Sequence, residues 1–194
     1  PDPIYSRDIG FYLFVLPFLN LVQTSLVLLT LSGTLLLGVF YFRIGLLRFD
    51  AKKFVAADPS VQRHLIANAV LLLTAWAWGF YLDRFGLLTR SAGAVFGAGY
   101  TDVHVLLVGL WVALGATIAL ICVLVWVAMT NAPRFAVFGI VGYLVILLVA
   151  LQVVPGGFQS LIVEPNELAL ETPYLRHNIA LTRAAYGLDN IDVR

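Results

Sequence analysis

The chain has 194 residues, of which 61% are hydrophobic and 12% charged, and a formal net charge of +1. Its mean hydropathy of +0.93 lies beyond the range of soluble domains. No basic block offers a footprint for nucleic acid, and a single cysteine excludes an intrachain disulfide or a cysteine-rich zinc or iron–sulfur site.

The chain opens on "PDPIYSRDIGF", with no charged leader region and no cleavage site, and reads as a piece of a longer protein. Ser6 and Asp8 are helix-start residues, and Phe11, Tyr12, Phe14 and Phe18 crowd around Pro17. Residues 1–17 are expected to form a short interfacial segment running into the first span. Aromatic rings prefer the headgroup level, so Phe40, Tyr41 and Phe42 beside Arg43 mark the opposite interface.

All 12 basic and 11 acidic residues fall outside four stretches, 18–42, 65–82, 103–133 and 135–163. A bilayer core takes about 20 apolar helical residues, and a charge at its centre costs roughly 2.5–3.5 kcal/mol. The expectation is an all-α integral membrane bundle whose four transmembrane helices cover about 18–42, 65–82, 102–130 and 135–154 of the region 18–154. Arg43, Arg48, Lys52, Lys53 and Arg63 face only Asp50 and Asp58 in the first connection. The positive-inside rule then puts that loop in the cytoplasm and the C-terminal tail outside, as for a multi-pass protein of a bacterial cytoplasmic (inner) membrane.

Small residues recur every four positions: Thr30, Thr34 and Gly38, then Ala75 and Gly79, then Gly109, Ala113 and Thr117. Such stripes let membrane helices approach closely, and helix packing is the role expected of them. Cys122 reads as another small packing residue. Asn20, Gln23, Asn68, Thr74 and Gln152 are expected to bond between helices, because ionisable groups are absent from the spans and a proton- or ion-coupled path normally needs them.

The most informative short stretch is "FGAGYTDVH", residues 96–104. A phosphate loop would need a lysine after its glycines and a strand before them, and neither is here. Carboxylate and imidazole suit zinc or a similar ion, so Asp102, His104 and His177, with Glu164 and Glu167 nearby, are the metal-ligand candidates. No HExxH or close ligand pair supports them, and the expectation is no metal and no cofactor. The structural reading assigns Thr101 or Asp102 to capping, Gly97 and Gly99 to a sharp turn, and Tyr100 to anchoring at the interface. No nucleophile, carboxylate pair or metal motif lies within the spans, so no enzymatic activity is expected.

After the fourth span, "VVPGGF" is expected to break the helix, and residues 155–194 read as the start of an extracytoplasmic soluble domain. Thr172 before Pro173 is a cap and first-turn pair, and Gly187 is a stop, so an amphipathic helix is expected over 173–186.

Three segments, "DPIYSRDIGFYLFVLPF", "YLDRFGLLTRSAGAVFGAGYTDVH" and "EPNELALETPYLRHNIALTRAAYGLD", together resemble uncharacterised protein family 0182 of bacteria and cyanobacteria. The resemblance implies a multi-pass membrane domain followed by a large extracytoplasmic domain, and it supplies no catalytic residue. The expected partners are the lipid bilayer, the remaining helices and outer domain of the same longer chain, and further copies in a homo-oligomer. The expected role is the membrane anchor and scaffold of a larger cell-envelope protein. Transport of an envelope component or other solute is the second expectation.

Overall fold

The structure is a computed structural model that describes residues 4–48, 56–89 and 97–187. Helix α1 (Leu16–Arg43) is entered through a wide π-turn at Phe11–Val15. A two-residue antiparallel ladder, β1 (Leu47–Arg48) with β2 (Ala56–Ala57), closes the first connection by pairing Leu47 with Ala57 and Arg48 with Ala56. Helix α2 (Pro59–Gly86) begins at Asp58, whose carboxylate accepts from the Ser60 N–H, with Pro59 in the first turn where no helical donor is needed. Helix α3 (Leu107–Thr130) follows a π-turn at Asp102–Leu106 and ends at Asn131, in the left-handed region at φ 52°. Helix α4 (Arg134–Leu148) starts after Pro133.

Four helical stretches are long and apolar enough to cross a membrane: Phe11–Arg43, Pro59–Thr89, Asp102–Thr130 and Arg134–Arg176. The protein is an all-α membrane bundle in which α1 packs on α2, α2 on α3 and α3 on α4. Leu21, Leu29, Leu36, Phe138, Val141 and Leu144 point outward, as lipid-facing side chains do. Apolar area cannot drive helices together in lipid, so the contacts between helices rest on close packing and hydrogen bonds. Asn68 donates from Nδ2 to Thr34 Oγ1 at 2.6 Å and to the Thr30 carbonyl at 3.3 Å. Gln23 Nε2 reaches the Ala75 carbonyl at 3.1 Å, and the Thr117 and Tyr143 hydroxyls lie 3.1 Å apart between α3 and α4. Among the described residues, no buried side-chain nitrogen or oxygen lacks a partner.

Several expectations are corrected. The Thr74 hydroxyl donates to the Val70 carbonyl of its own helix and does not bond between helices. Cys122 is exposed on the outer face of α3 and does not pack inside the bundle. The helix does not break at "VVPGGF" either. It continues through a π-turn at Val149–Val153, α5 (Val154–Phe158) and a second π-turn at Gln159–Val163. The wide turn absorbs the proline: the Val154 N–H bonds to the Val149 carbonyl, and Pro155 needs no donor of its own.

The chain changes direction one segment later, at the 3-10 turn Glu164–Asn166, where Asn166 leaves helical geometry at φ −126° and ψ 29°. Helix α6 (Glu167–Ala185) therefore starts before the Thr172 and Pro173 pair and carries Pro173 inside it. Its end is where the glycine stop belongs, since the Tyr186 and Gly187 N–H groups close on the Thr182 and Ala184 carbonyls and Gly187 takes φ 67°.

Candidate functional site: a collar joining the tail helix to the bundle

The start of α3 gathers polar and aromatic contacts from α5, the second π-turn and α6. Gly97 turns the chain at φ 120°, a conformation that favours glycine. Helical structure begins at Tyr100, and the Gly99 carbonyl accepts from the Val103 N–H at 3.2 Å. Asp102, buried, turns its carboxylate back to the Gly99 N–H at 3.1 Å. That is the back half of a capping box: the acid three residues in satisfies the amide at the helix entry. Asp102 thus serves the amide behind it, not the first amides of the helix ahead.

The next amide is served from α6. Glu171 accepts from the Tyr100 N–H at 2.9 Å, across 71 residues of sequence. A β-carbon on Gly99 would stand 3.1 Å from the same carboxylate, so the absent side chain is what lets α6 come this near. Two carboxylates from different segments converge on the positive end of α3, where unpaired N–H groups and the helix dipole favour negative charge.

Thr101 does not cap either. Its hydroxyl donates to Gln159 Oε1 in the second π-turn. His104 Nδ1 lies 3.1 Å from the Tyr100 carbonyl and 3.3 Å from the Tyr174 hydroxyl. A carbonyl can only accept, so a bond to Tyr100 needs the hydrogen on Nδ1, whereas the Tyr174 hydroxyl can pair with either tautomer. The His104 ring stacks on Tyr100 at 4.1 Å, Phe158 lies parallel to Tyr100 at 6.2 Å, and Tyr174 meets it edge-on at 6.3 Å. On a straight helix Phe158 and Tyr174 would be about 24 Å apart. Both flank one ring because the chain folds over at Glu164–Asn166.

Among the described residues the metal-ligand candidates form no ligand set. Asp102 and His104 are engaged by their neighbours, the His177 side chain lies outside the described residues, and among the described residues no three His, Cys, Asp or Glu side chains cluster. Gly109, Ala113 and Thr117 lie buried along α3, with Gly109 against Ala150 and Thr117 against Tyr143. Sequence reasoning missed Glu171, Tyr174, Gln159 and Phe158. The available signal was the spacing of Glu171 and Tyr174, three apart on one helical face within the sharpest tail segment.

The chain matches the uncharacterised protein family UPF0182 over residues 1–194. It belongs to that family. A UPF0182 protein of Salinibacter ruber is 42% identical over 193 residues, covering 100% of this chain and 20% of its own length. Relatives from Cupriavidus necator and Trichodesmium erythraeum are 41% and 38% identical, each over 100% of this chain and 21% of theirs. This UPF0182 chain therefore spans about a fifth of the length of the curated relatives it matches. No solved structure matches it.

Proposed function

We propose that this bundle is the membrane anchor and scaffold of a larger cell-envelope protein, set in the bacterial inner membrane with its tail outside. One observation carries the reading: α6 is docked on the collar. The Tyr100 amide to Glu171, the His104 to Tyr174 contact and the Tyr100 ring between Phe158 and Tyr174 hold α6 against the start of α3, which supports one fixed exit direction for the chain. A passive tether would need none of these contacts, whereas a scaffold that presents a following segment in one orientation needs them all.

Three polar side chains within the spans support the same reading. Gln23, Asn68 and Thr117 are engaged between helices, which favours a packed bundle over a conducting one. Transport of an envelope component is the second reading. A niche of about 270 Å³ beside Gln23, Thr24, Trp76 and Asp83 favours it.

The test is protease protection of the full-length chain in membrane vesicles, comparing wild type with Glu171→Ala plus Tyr174→Ala. The scaffold reading expects the double variant to remain in the membrane while new cleavage sites open around α6. An unchanged cleavage pattern counts against it, and solute uptake into proteoliposomes at normal tail protection would favour transport.

A further inference from the structure

Arg84 lies in the last turn of α2. Its Nε donates to the Tyr81 carbonyl at 3.1 Å. The guanidinium carbon sits 4.1 Å from the Tyr81 ring centre and 4.3 Å from that of Trp111, with Phe85 5.4 Å away. Aromatic faces attract a cation without neutralising it. Among the described residues no carboxylate pairs with Arg84, and one of its five N–H donors is engaged. Since no buried side-chain nitrogen among those residues lacks a partner, the remaining donors open to the outside.

The outside here is the surface that a bilayer covers. Tyr81 is 42% exposed and Trp111 48%. Trp111 and Trp126 are 15 positions apart on α3, about 22 Å along its axis. With one ring towards each edge of the hydrocarbon, as aromatic belts lie, the Arg84 clamp would sit at a headgroup level. From Trp111 the outer face of α3 runs inward through Gly115 to Ile118, and a β-carbon at Gly115 would meet nothing within 4 Å. A fixed cation thus heads an open apolar track.

We propose that the clamp of Arg84, Tyr81 and Trp111 binds the phosphodiester of an anionic phospholipid, with one acyl chain laid along Trp111, Gly115 and Ile118. The planar guanidinium fork matches two phosphate oxygens, and pinning Nε to Tyr81 fixes the fork before the ligand arrives. A cation that no carboxylate among the described residues neutralises favours a net-negative headgroup, because a zwitterionic one brings its own ammonium to the site. The inference needs the bundle to lie in a bilayer and does not depend on the anchor role.

The experiment is native mass spectrometry of the detergent-solubilised full-length chain, titrated with phosphatidylglycerol, phosphatidylcholine or inorganic phosphate. Wild type should hold one phosphatidylglycerol roughly fivefold more tightly than phosphatidylcholine, the size expected of one arginine near a membrane surface. Arg84→Gln should bring the two lipids level, and Trp111→Leu should weaken both, since either lipid lays its acyl chain along that ring. If Arg84→Gln does not fold, Arg84→Lys keeps the charge and loses the fork, and should keep the preference while binding both lipids more weakly.

Equal binding of the two lipids by wild type overturns the proposal, as does a preference that survives in Arg84→Gln or an Arg84→Lys variant that binds both lipids as tightly as wild type. Phosphate that displaces the lipid at equal concentration would make this an anion site with no lipid specificity. A change in oligomeric mass in place of a change in lipid adducts would make it a protein interface. Either result contradicts the proposal.

Discussion

Gly109 of α3 faces the carbonyl of Ala150, and a β-carbon at position 109 would collide with that oxygen. The carbonyl is available because the helical donors it would use are both gone. In the wide turn the Val154 N–H bonds to Val149 instead, and Pro155 has no N–H. Glycine on one helix and proline five residues beyond the carbonyl on the other thus act together to bring two backbones into contact, in a setting where packing holds helices together.

Gly109→Ala should therefore destabilise the bundle by about 1–3 kcal/mol, the usual cost of overpacking against atoms that cannot move aside. Gly115→Ala is the control, since its β-carbon would enter open space. It should be neutral or stabilising by up to about 1 kcal/mol, because alanine is the better helix former. Thermal unfolding of both variants in bicelles checks the pair.

Asn68 ties α2 to α1 through Thr34 and the Thr30 carbonyl. Asn68→Ala should cost about 0.6–1.7 kcal/mol, the range measured for hydrogen bonds between membrane helices. A double-mutant cycle with Thr34→Val isolates the pair term. A coupling of zero would mean that lipid or water serves Asn68 equally well.

At the collar, Asp102→Ala should lower stability by about 0.5–2 kcal/mol, as the loss of a helix-entry partner does. Glu171→Ala should leave the spans folded and speed hydrogen exchange at the Tyr100 amide, its bonded partner. Unchanged exchange there would contradict the docking of α6. Elemental analysis of the purified protein should find less than one equivalent of zinc or a similar ion, and a stoichiometric ion lost in His104→Ala would reverse that expectation.

The start of α2 predicts a pH dependence. Asp58 accepts from the Ser60 hydroxyl at 2.5 Å and from the Ser60 N–H at 2.9 Å. These bonds, the hydroxyl's first, together with the charge of Arg63, hold its carboxyl below the ordinary 3.8. A group whose pKa is lower in the folded than in the unfolded chain contributes stability above the unfolded value and loses it as pH falls through the folded one. Wild type should melt above Asp58→Asn at neutral pH, and the gap should close as pH drops below 3.8.

The spans were legible because charge is excluded from them, a constraint that each stretch carries in its own residues. The helix through Pro155 was not, because the Pro-Gly-Gly rule holds where water can take up freed backbone groups. In an apolar setting those groups must be satisfied internally, and wide turns before and after α5 accommodate the proline within the helix. The collar was half legible. Gly97 and Gly99 announce a turn, but the partner of the Tyr100 amide lies 71 residues away, and pairing at that distance leaves no local pattern.

The central claim is that the chain crosses the membrane four times, with the basic loop and the tail on opposite sides. Cysteines at Lys52→Cys and Asn190→Cys, each in a Cys122→Ala background, can be exposed to an impermeant thiol reagent in intact cells. The account predicts that Asn190→Cys reacts while Lys52→Cys reacts only after the cells are opened. The reverse labelling would put the tail in the cytoplasm and contradict the envelope scaffold, and labelling of both from outside would contradict the four spans.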